Sequence, residues 1–255
     1  MADAQTPTAV VLAAGRGTRM KSDLPKVLFP VLGRAMIHWV LDALEAAGIE
    51  QSIVVVGYQA DKVRAELADR PGVQFALQEQ QLGTGHAVQM CRGHLESHPG
   101  PVLVVAGDSP LIQPQSIREL TAHFRAEGDY ACLLGTLMKD DPTGLGRIVR
   151  EPSGRFVGIV EHKDASDEQL AIREVNMSTY LFDCAALLDA LQRLSNDNAQ
   201  GEFYLTDCPA LLLESGRRVD ALPVLRPCEA LSINTVDELK IVEAKMREMG
   251  YADHA

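Results

Sequence analysis

The stretch Val10-Val11-Leu12-Ala13-Ala14-Gly15-Arg16-Gly17-Thr18-Arg19-Met20 carries the decision about the fold. Its apolar half has strand character, and the run stops at two glycines one residue apart. Glycine lacks a Cβ, so the backbone can turn there and aim several N–H groups at one anion. A loop leaving the carboxyl end of a parallel strand points those groups into the crevice where α/β sheets bind ligands. Between Gly15 and Lys26 stand four basic residues, Arg16, Arg19, Lys21 and Lys26, against the single acidic Asp23. The chain as a whole has the opposite sign: 24 Lys and Arg face 35 Asp and Glu, a formal net charge of -11. The loop thus reverses the average charge locally, as a phosphate ligand would require. Taken alone, it reads equally well as a β-turn with a solvated basic face. A dinucleotide fingerprint would need a third glycine where Met20 stands, and the G-x-x-x-x-G-K-[ST] of a P-loop is missing.

Outward from this loop, short β-branched runs alternate with amphipathic stretches, which predicts an α/β sheet with helices on both faces. The strands are expected at Ala9–Ala14, Ser52–Gly57, Val73–Leu77, Val102–Ala106, Tyr130–Thr136, Phe156–Glu161, Tyr180–Asp183 and Val219–Val224. Helical stripes fall at Ala35–Ala47, Ser116–Glu127, Cys184–Leu194 and Phe203–Glu214, and Thr235 with Glu238 predicts a capping box before a last helix. Asp140–Gly154 reads as a loop into a second lobe. The 255 residues are expected to form one domain, with lobes at 1–115 and 116–230 and a final segment at 231–255.

Composition excludes several classes. With 46% hydrophobic and 23% charged residues the chain is neither disordered nor collagen-like. Five cysteines, odd in number and without a C-x-x-C pair, argue against a disulfide framework and a zinc cage. Seven histidines form no H-E-x-x-H. The acidic balance disfavours nucleic acid as a partner. No apolar run reaches the roughly 20 residues of a membrane span. The first basic residue is Arg16, so no secretory n-region is seen and a cytoplasmic location is expected.

Leu12-Ala13-Ala14-Gly15-Arg16-Gly17-Thr18-Arg19-Met20, with Leu24-Pro25-Lys26 downstream, resembles the L-A-A-G-x-G-T-R-M and P-K signature of the sugar nucleotidyltransferases. The resemblance implies a Rossmann-like three-layer α/β/α sandwich with a mixed, mostly parallel sheet. It also implies that Leu12, Ala13, Ala14, Gly15, Gly17 and Thr18 contact a nucleoside triphosphate, while Arg19 and Lys26 neutralise the phosphates and the pyrophosphate leaving group. Gln78-Glu79-Gln80-Gln81-Leu82-Gly83-Thr84-Gly85-His86-Ala87 resembles a motif of the bacterial bifunctional N-acetylglucosamine-1-phosphate uridyltransferases. A Gln amide offers a donor and an acceptor in one plane, complementary to the uracil edge, so Gln78 is the base-reading candidate; Gly83 and Thr84 join it by resemblance. Gln78 without the rest of the motif would pass for a solvated glutamine.

The apolar run Val102–Ala106 ends in Gly107-Asp108. A carboxylate at the tip of a buried strand is costly unless a cation or hydrogen bonds compensate it, so Asp108 is a metal-ligand candidate, with a turn or capping role as the alternative. By resemblance Asp108 and Asn234 hold Mg2+ together, although Asn234 alone would pass for a turn residue. Resemblance also makes Gly107, Gly146, Glu161 and Asn176 contacts to the sugar. The run Asn176-Met177-Ser178 departs from the usual Asn, Thr or Ser, then Gly, and Leu145 stands where Tyr is frequent. Asn196–Asp207 is also typical of these uridyltransferases and reads as a polar turn feeding a helix.

The expected reaction is transfer of UMP from UTP to a sugar 1-phosphate, foremost N-acetylglucosamine 1-phosphate, with Mg2+ as cofactor and small molecules as the partners. A thymidylyl or cytidylyl transferase and a silent nucleotide-sugar sensor are the competing readings. The acetyltransferase β-helix of the bifunctional family is expected to be absent.

Overall fold

The architecture comes from a computed structural model that describes residues 6–17, 20, 22–198 and 200–254. The apolar run before the glycine loop forms β1 (Thr8–Ala13), and then come a hairpin of β2 (Pro30–Val31) and β3 (Arg34–Ala35), α1 (Met36–Ala46), β4 (Ser52–Val56), α2 (Ala60–Glu66) and β5 (Val73–Leu77). α3 (Thr84–Gln89), α4 (Arg92–Leu95), β6 (Val102–Ala106) and α5 (Pro114–Glu127) follow. The second half runs β7 (Tyr130–Met138), β8 (Arg147–Arg150), β9 (Phe156–Val160), α6 (Asp167–Leu170), β10 (Glu174–Phe182), α7 (Cys184–Arg193), α8 (Cys208–Glu214), β11 (Arg218–Leu222) and α9 (Val236–Glu248).

Among the described residues, nine strands make one sheet in the order β11-β7-β10-β6-β1-β4-β5, with β8 paired to β10 and β9 to β8. β1 runs parallel to β4 and β6, and β4 to β5, so these four strands end on the same edge. β10 is antiparallel to both β6 and β7. The sheet is therefore mixed and mostly parallel. Side chains alternate across it: Val10, Val55 and Val104 pack with Val88, Leu187, Leu191 and Leu212 on one face. Ala9, Val11, Val54 and Val105 pack with Val40, Leu44, Ile117 and Leu120 on the other. Helices thus cover both faces, which is why these strands are continuously apolar.

A third, smaller core joins the ends of the chain. Val31, Leu32, Met36, Trp39, Leu111, Ile233, Val242 and Met246 are buried together, and Trp39 Nε1 donates to the Val31 carbonyl at 3.0 Å. This cluster draws the start of α9 beneath the hairpin, beside the segment that follows β6.

Four local expectations need correction. The stretch 140–154 is not all loop, because β8 lies within it. Arg147 and Arg150 make that strand look polar, but Arg147 is buried, and Arg150 grips Glu174 with two bonds of 2.8 Å. The helix expected at Phe203–Glu214 begins only at Cys208, after a 3-10 turn at Leu205–Asp207, since Phe203 is held extended by a bond from its N–H to the Leu82 carbonyl at 2.8 Å. β10 begins at Glu174, six residues before the expected strand. The capping box of α9 is split: Thr235 Oγ1 accepts from Glu238 N at 3.2 Å, but the Glu238 carboxylate accepts from Asn234 N, at 2.6 Å.

β10 shifts register between Asn176 and Thr179, and Ser178 in that bulge has φ of 54°. This is the position where the resembled motif carries Gly, and an L-residue there costs roughly 1–2 kcal/mol against the loss of glycine's unfolded-state freedom. Ser178→Gly is expected to stabilise the fold by about 0.5–1 kcal/mol in urea unfolding. A clear destabilisation would show that the serine hydroxyl, not the backbone, sets this turn.

Candidate active site

The carboxyl ends of the four parallel strands bring separate loops to one edge. The Ala14 carbonyl accepts from Tyr58 N at 3.1 Å and from Gln81 Nε2 at 2.7 Å, so the glycine loop is tied to the turns after β4 and β5. Gly107 N donates to the Leu12 carbonyl at 2.9 Å and ties in the turn after β6. Leu12 and Ala13 therefore belong to the sheet through their backbones, and a Cβ at Gly107 would stand 2.9 Å from the Leu12 oxygen. The sheet itself explains that glycine.

Gly17 has φ of +67°, and a Cβ on it would stand 2.8 Å from Lys26 Cβ. A Cβ at Gly15 would meet open space instead. Close packing explains the first glycine; the second leaves room in which a ligand can approach the main chain. Thr18 and Arg19 lie outside the described residues.

Lys26 opens a 3-10 turn whose next two residues, Val27 and Leu28, are buried. Its ammonium donates to Asp108 Oδ2, with which it pairs, and to Asn234 Oδ1 at 2.8 Å. Asp108 and Asn234, 126 positions apart in the chain, thus share one cation next to the glycine loop. Glu229 is buried nearby and braces the segment before Asn234 against α5. Its carboxylate accepts from Gln113 N at 3.0 Å and from Ser116 Oγ at 2.6 Å. Sequence reasoning missed Glu229, since nothing marks it out from a surface acid; burial raises its pKa.

Gln78 is buried, and its Nε2 donates to the Gly83 carbonyl at 3.0 Å and reaches His86 Nδ1 at 3.1 Å. The carbonyl can only accept, so it fixes the orientation of the amide. The expected donor and acceptor display toward a base is thus reduced to Oε1, with the amide nitrogen turned inward to shape the Gly83 turn. Thr84 Oγ1 accepts from Leu205 N at 3.1 Å, and Gly85 N donates to the Phe203 carbonyl at 2.8 Å. These bonds stitch the 196–207 segment to the glycine turn.

Gly146, Glu161 and Asn176 converge in the second half of the chain. A Cβ on Gly146 would lie 3.6 Å from both Glu161 Oε1 and Asn176 Cβ, and the Gly146 carbonyl accepts from Asn176 N at 2.9 Å. Asn176 Nδ2 donates to the Tyr180 hydroxyl at 2.8 Å. Burial, and then the charges of Asp164 and Asp207, push the Glu161 carboxyl above the usual range. Asp207 is itself raised by burial. It is a further member of this side that sequence reasoning passed over; only the 196–207 resemblance pointed toward it.

The divalent ion implied by the resemblance fits these donors. Asp108 and Asn234 present two hard oxygens already gathered on one cation, the Lys26 ammonium. Two protein oxygens suit Mg2+, which keeps waters and takes phosphate oxygens as its other ligands. Among the described residues no group of three or more His, Cys, Asp or Glu could hold a metal without such help.

Residues 9–206 match the model of the MobA-like NTP transferase domain. The chain belongs to that family. Curated relatives of this MobA-like domain include the bifunctional protein GlmU of Exiguobacterium sp. (strain ATCC BAA-1283 / AT1b), 46% identical over 240 residues, which are 94% of this chain and 52% of the relative. GlmU of Geobacter metallireducens is 45% identical over 236 residues, 92% of this chain and 49% of the relative. GlmU of Clostridium tetani is 44% identical over 246 residues. The chain spans about half the length of these curated relatives. A crystal structure from Bacillus anthracis, described as a glucose-1-phosphate thymidylyltransferase, superposes with a TM-score of 0.78 at 18% identity, covering 97% of this chain and 98% of the other. That likeness establishes the fold. No helix among the described residues is long and apolar enough to cross a membrane.

The raised pKa of Glu161 has a direction that can be measured. The folded state holds this proton more tightly than the unfolded chain, so the contribution to stability is full below the ordinary glutamate range and is lost as pH rises through the raised value. Glu161→Gln removes that loss. The variant should gain stability relative to the native protein from about pH 4 to about pH 7 in urea unfolding. A native advantage that grows with pH would contradict the burial of this charge.

Proposed function

We propose that this MobA-like NTP transferase domain transfers UMP from UTP to a sugar 1-phosphate, with N-acetylglucosamine 1-phosphate as the leading acceptor. The convergence of Asp108 and Asn234 on the Lys26 ammonium beside the glycine loop is the observation that carries this reading. The extent of the match to GlmU proteins supports the choice of uridine and of the acceptor. The division of labour follows the lobes: residues 1–115 take the nucleotide, 116–230 the sugar, and 231–255 bring Asn234 and α9 to the metal.

In the reaction an oxygen of the sugar phosphate forms a bond to the α-phosphorus of UTP, and the bond between that phosphorus and the bridging oxygen breaks in line. Pyrophosphate leaves with the electron pair. The attacking oxygen is already ionised, so no protein base is needed and the work of the site is positioning and charge stabilisation. The N–H groups of Gly15 to Gly17 are offered to the phosphates, and Lys26, with Arg19 as implied by the motif, neutralises charge that builds up on the leaving group. Gln78 Oε1 is the atom left to accept the N3–H of uracil, with Gly83 and Thr84 forming the turn around the base. Gly146 contributes backbone to the acceptor, while Glu161 and Asn176 face its hydroxyl and acyl groups. Asp108 and Asn234 would hold Mg2+, which supplies a Lewis acid on the phosphate oxygens.

Purified protein given UTP, Mg2+ and N-acetylglucosamine 1-phosphate should release pyrophosphate, and should do so faster than with the other nucleoside triphosphates or sugar phosphates in a matrix of both. Silence across the whole matrix would reject the transfer reading. Asp108→Ala should lower kcat by about 100-fold or more while circular dichroism stays unchanged. Near-native turnover in that variant would reject Asp108 as the metal carboxylate.

A further inference from the structure

The Lys26 ammonium donates to the same two side-chain oxygens, Asp108 Oδ2 and Asn234 Oδ1, that are offered to the metal. A divalent ion on these oxygens at about 2.1 Å would stand beside an ammonium hydrogen-bonded to both, so the two cations repel each other and compete for lone pairs of the same two atoms. The seat is well defined. Lys26 is anchored through buried Val27 and Leu28, its side chain is only 13% exposed, and the Asn234 backbone is held by Glu238. Among the described residues, Asp108 is the ion-pair partner of Lys26.

We propose that Lys26 occupies the seat of the metal in the nucleotide-free protein, and that metal binding is an exchange: the ion takes Asp108 and Asn234 while Lys26 moves to the triphosphate. The proposal rests on the nucleotidyl-transfer reading of the site and adds a second role for Lys26, that of a metal-excluding group. Its consequence is coupling. Nucleotide gives the displaced ammonium a new partner and completes the two-oxygen metal site, so each ligand strengthens the binding of the other, and by linkage the effect is reciprocal. Without nucleotide the bare metal must break two charge-assisted bonds to enter, so the protein is built to accept the ion together with the triphosphate.

The test uses Mn2+ alone, followed by the paramagnetic resonance signal of the free ion, on nucleotide-free protein. Lys26→Met should bind Mn2+ at least about tenfold more tightly than the native protein, the scale of one of the two charge-assisted hydrogen bonds that no longer have to be broken. Adding Asp108→Asn to that variant should abolish the gain. Arg16→Met, which removes one positive charge from the same loop without freeing either oxygen, should change the affinity less than about threefold, a charge effect well below the bonded one. Unchanged or weaker Mn2+ binding in Lys26→Met overturns the exchange, as does an equal gain in Arg16→Met. Lys26→Gln, which keeps more of the polarity, repeats the comparison if the methionine variant melts early. Pyrophosphate release by the native protein is measured in parallel. Turnover without the metal gain defeats the exchange alone, whereas the metal gain without turnover on any substrate defeats the transfer reading.

Discussion

One ammonium shared between a carboxylate and an amide is the contact on which the rest of this molecule depends. Asp108 follows a strand with four of its five residues buried and carries a negative charge that is only partly covered. Lys26 compensates that charge, and Gly17, at a positive φ, leaves room for the Lys26 Cβ and Cγ. Asn234 reaches the same point because the third core pulls Ile233 and α9 beneath the β2–β3 hairpin. The packing of the two chain ends thus also brings Lys26, Asp108 and Asn234 together.

The acidic surplus of the chain gives this arrangement its purpose. Most of the molecule repels a polyphosphate, and the basic residues between Gly15 and Lys26 reverse the sign in one place. The cluster at Glu161 has the opposite character: Glu161, Asp164 and Asp207 interact, and burial holds the first and last of them toward their neutral forms. A cationic loop and a carboxyl-lined cluster thus stand on the same chain with opposite electrostatic character.

The sequence made the nucleotide side legible because its signals are local. Continuous apolar runs marked β1, β4 and β6, and the glycine loop with its charge reversal marked the edge on which the parallel strands end. The strand β8 escaped because two arginines bracket it, and the burial of Arg147 and the half-burial of Arg150 depend on partners such as His162 and Glu174 that lie further along the chain. Gln78 was legible as part of a motif but not in its orientation, which is set by a carbonyl five residues away and by His86. The capping pair Thr235 and Glu238 was found, yet Glu238 serves Asn234 instead of the cap, a detail decided by the turn and not by the spacing. Two of the three departures from the resembled motifs, Leu145 and Met177, pack around the same small core with Val175 and Leu225, a coupling that no local pattern reveals.

The most direct test is a crystal structure of the protein with Mg2+ and a non-hydrolysable UTP analogue. The account predicts one ion bound to Asp108 Oδ and Asn234 Oδ1 as well as to phosphate oxygens, with the Lys26 ammonium moved from those side chains onto the phosphates. An ion bound elsewhere, or Lys26 still bridging Asp108 and Asn234 with the nucleotide in place, would contradict it.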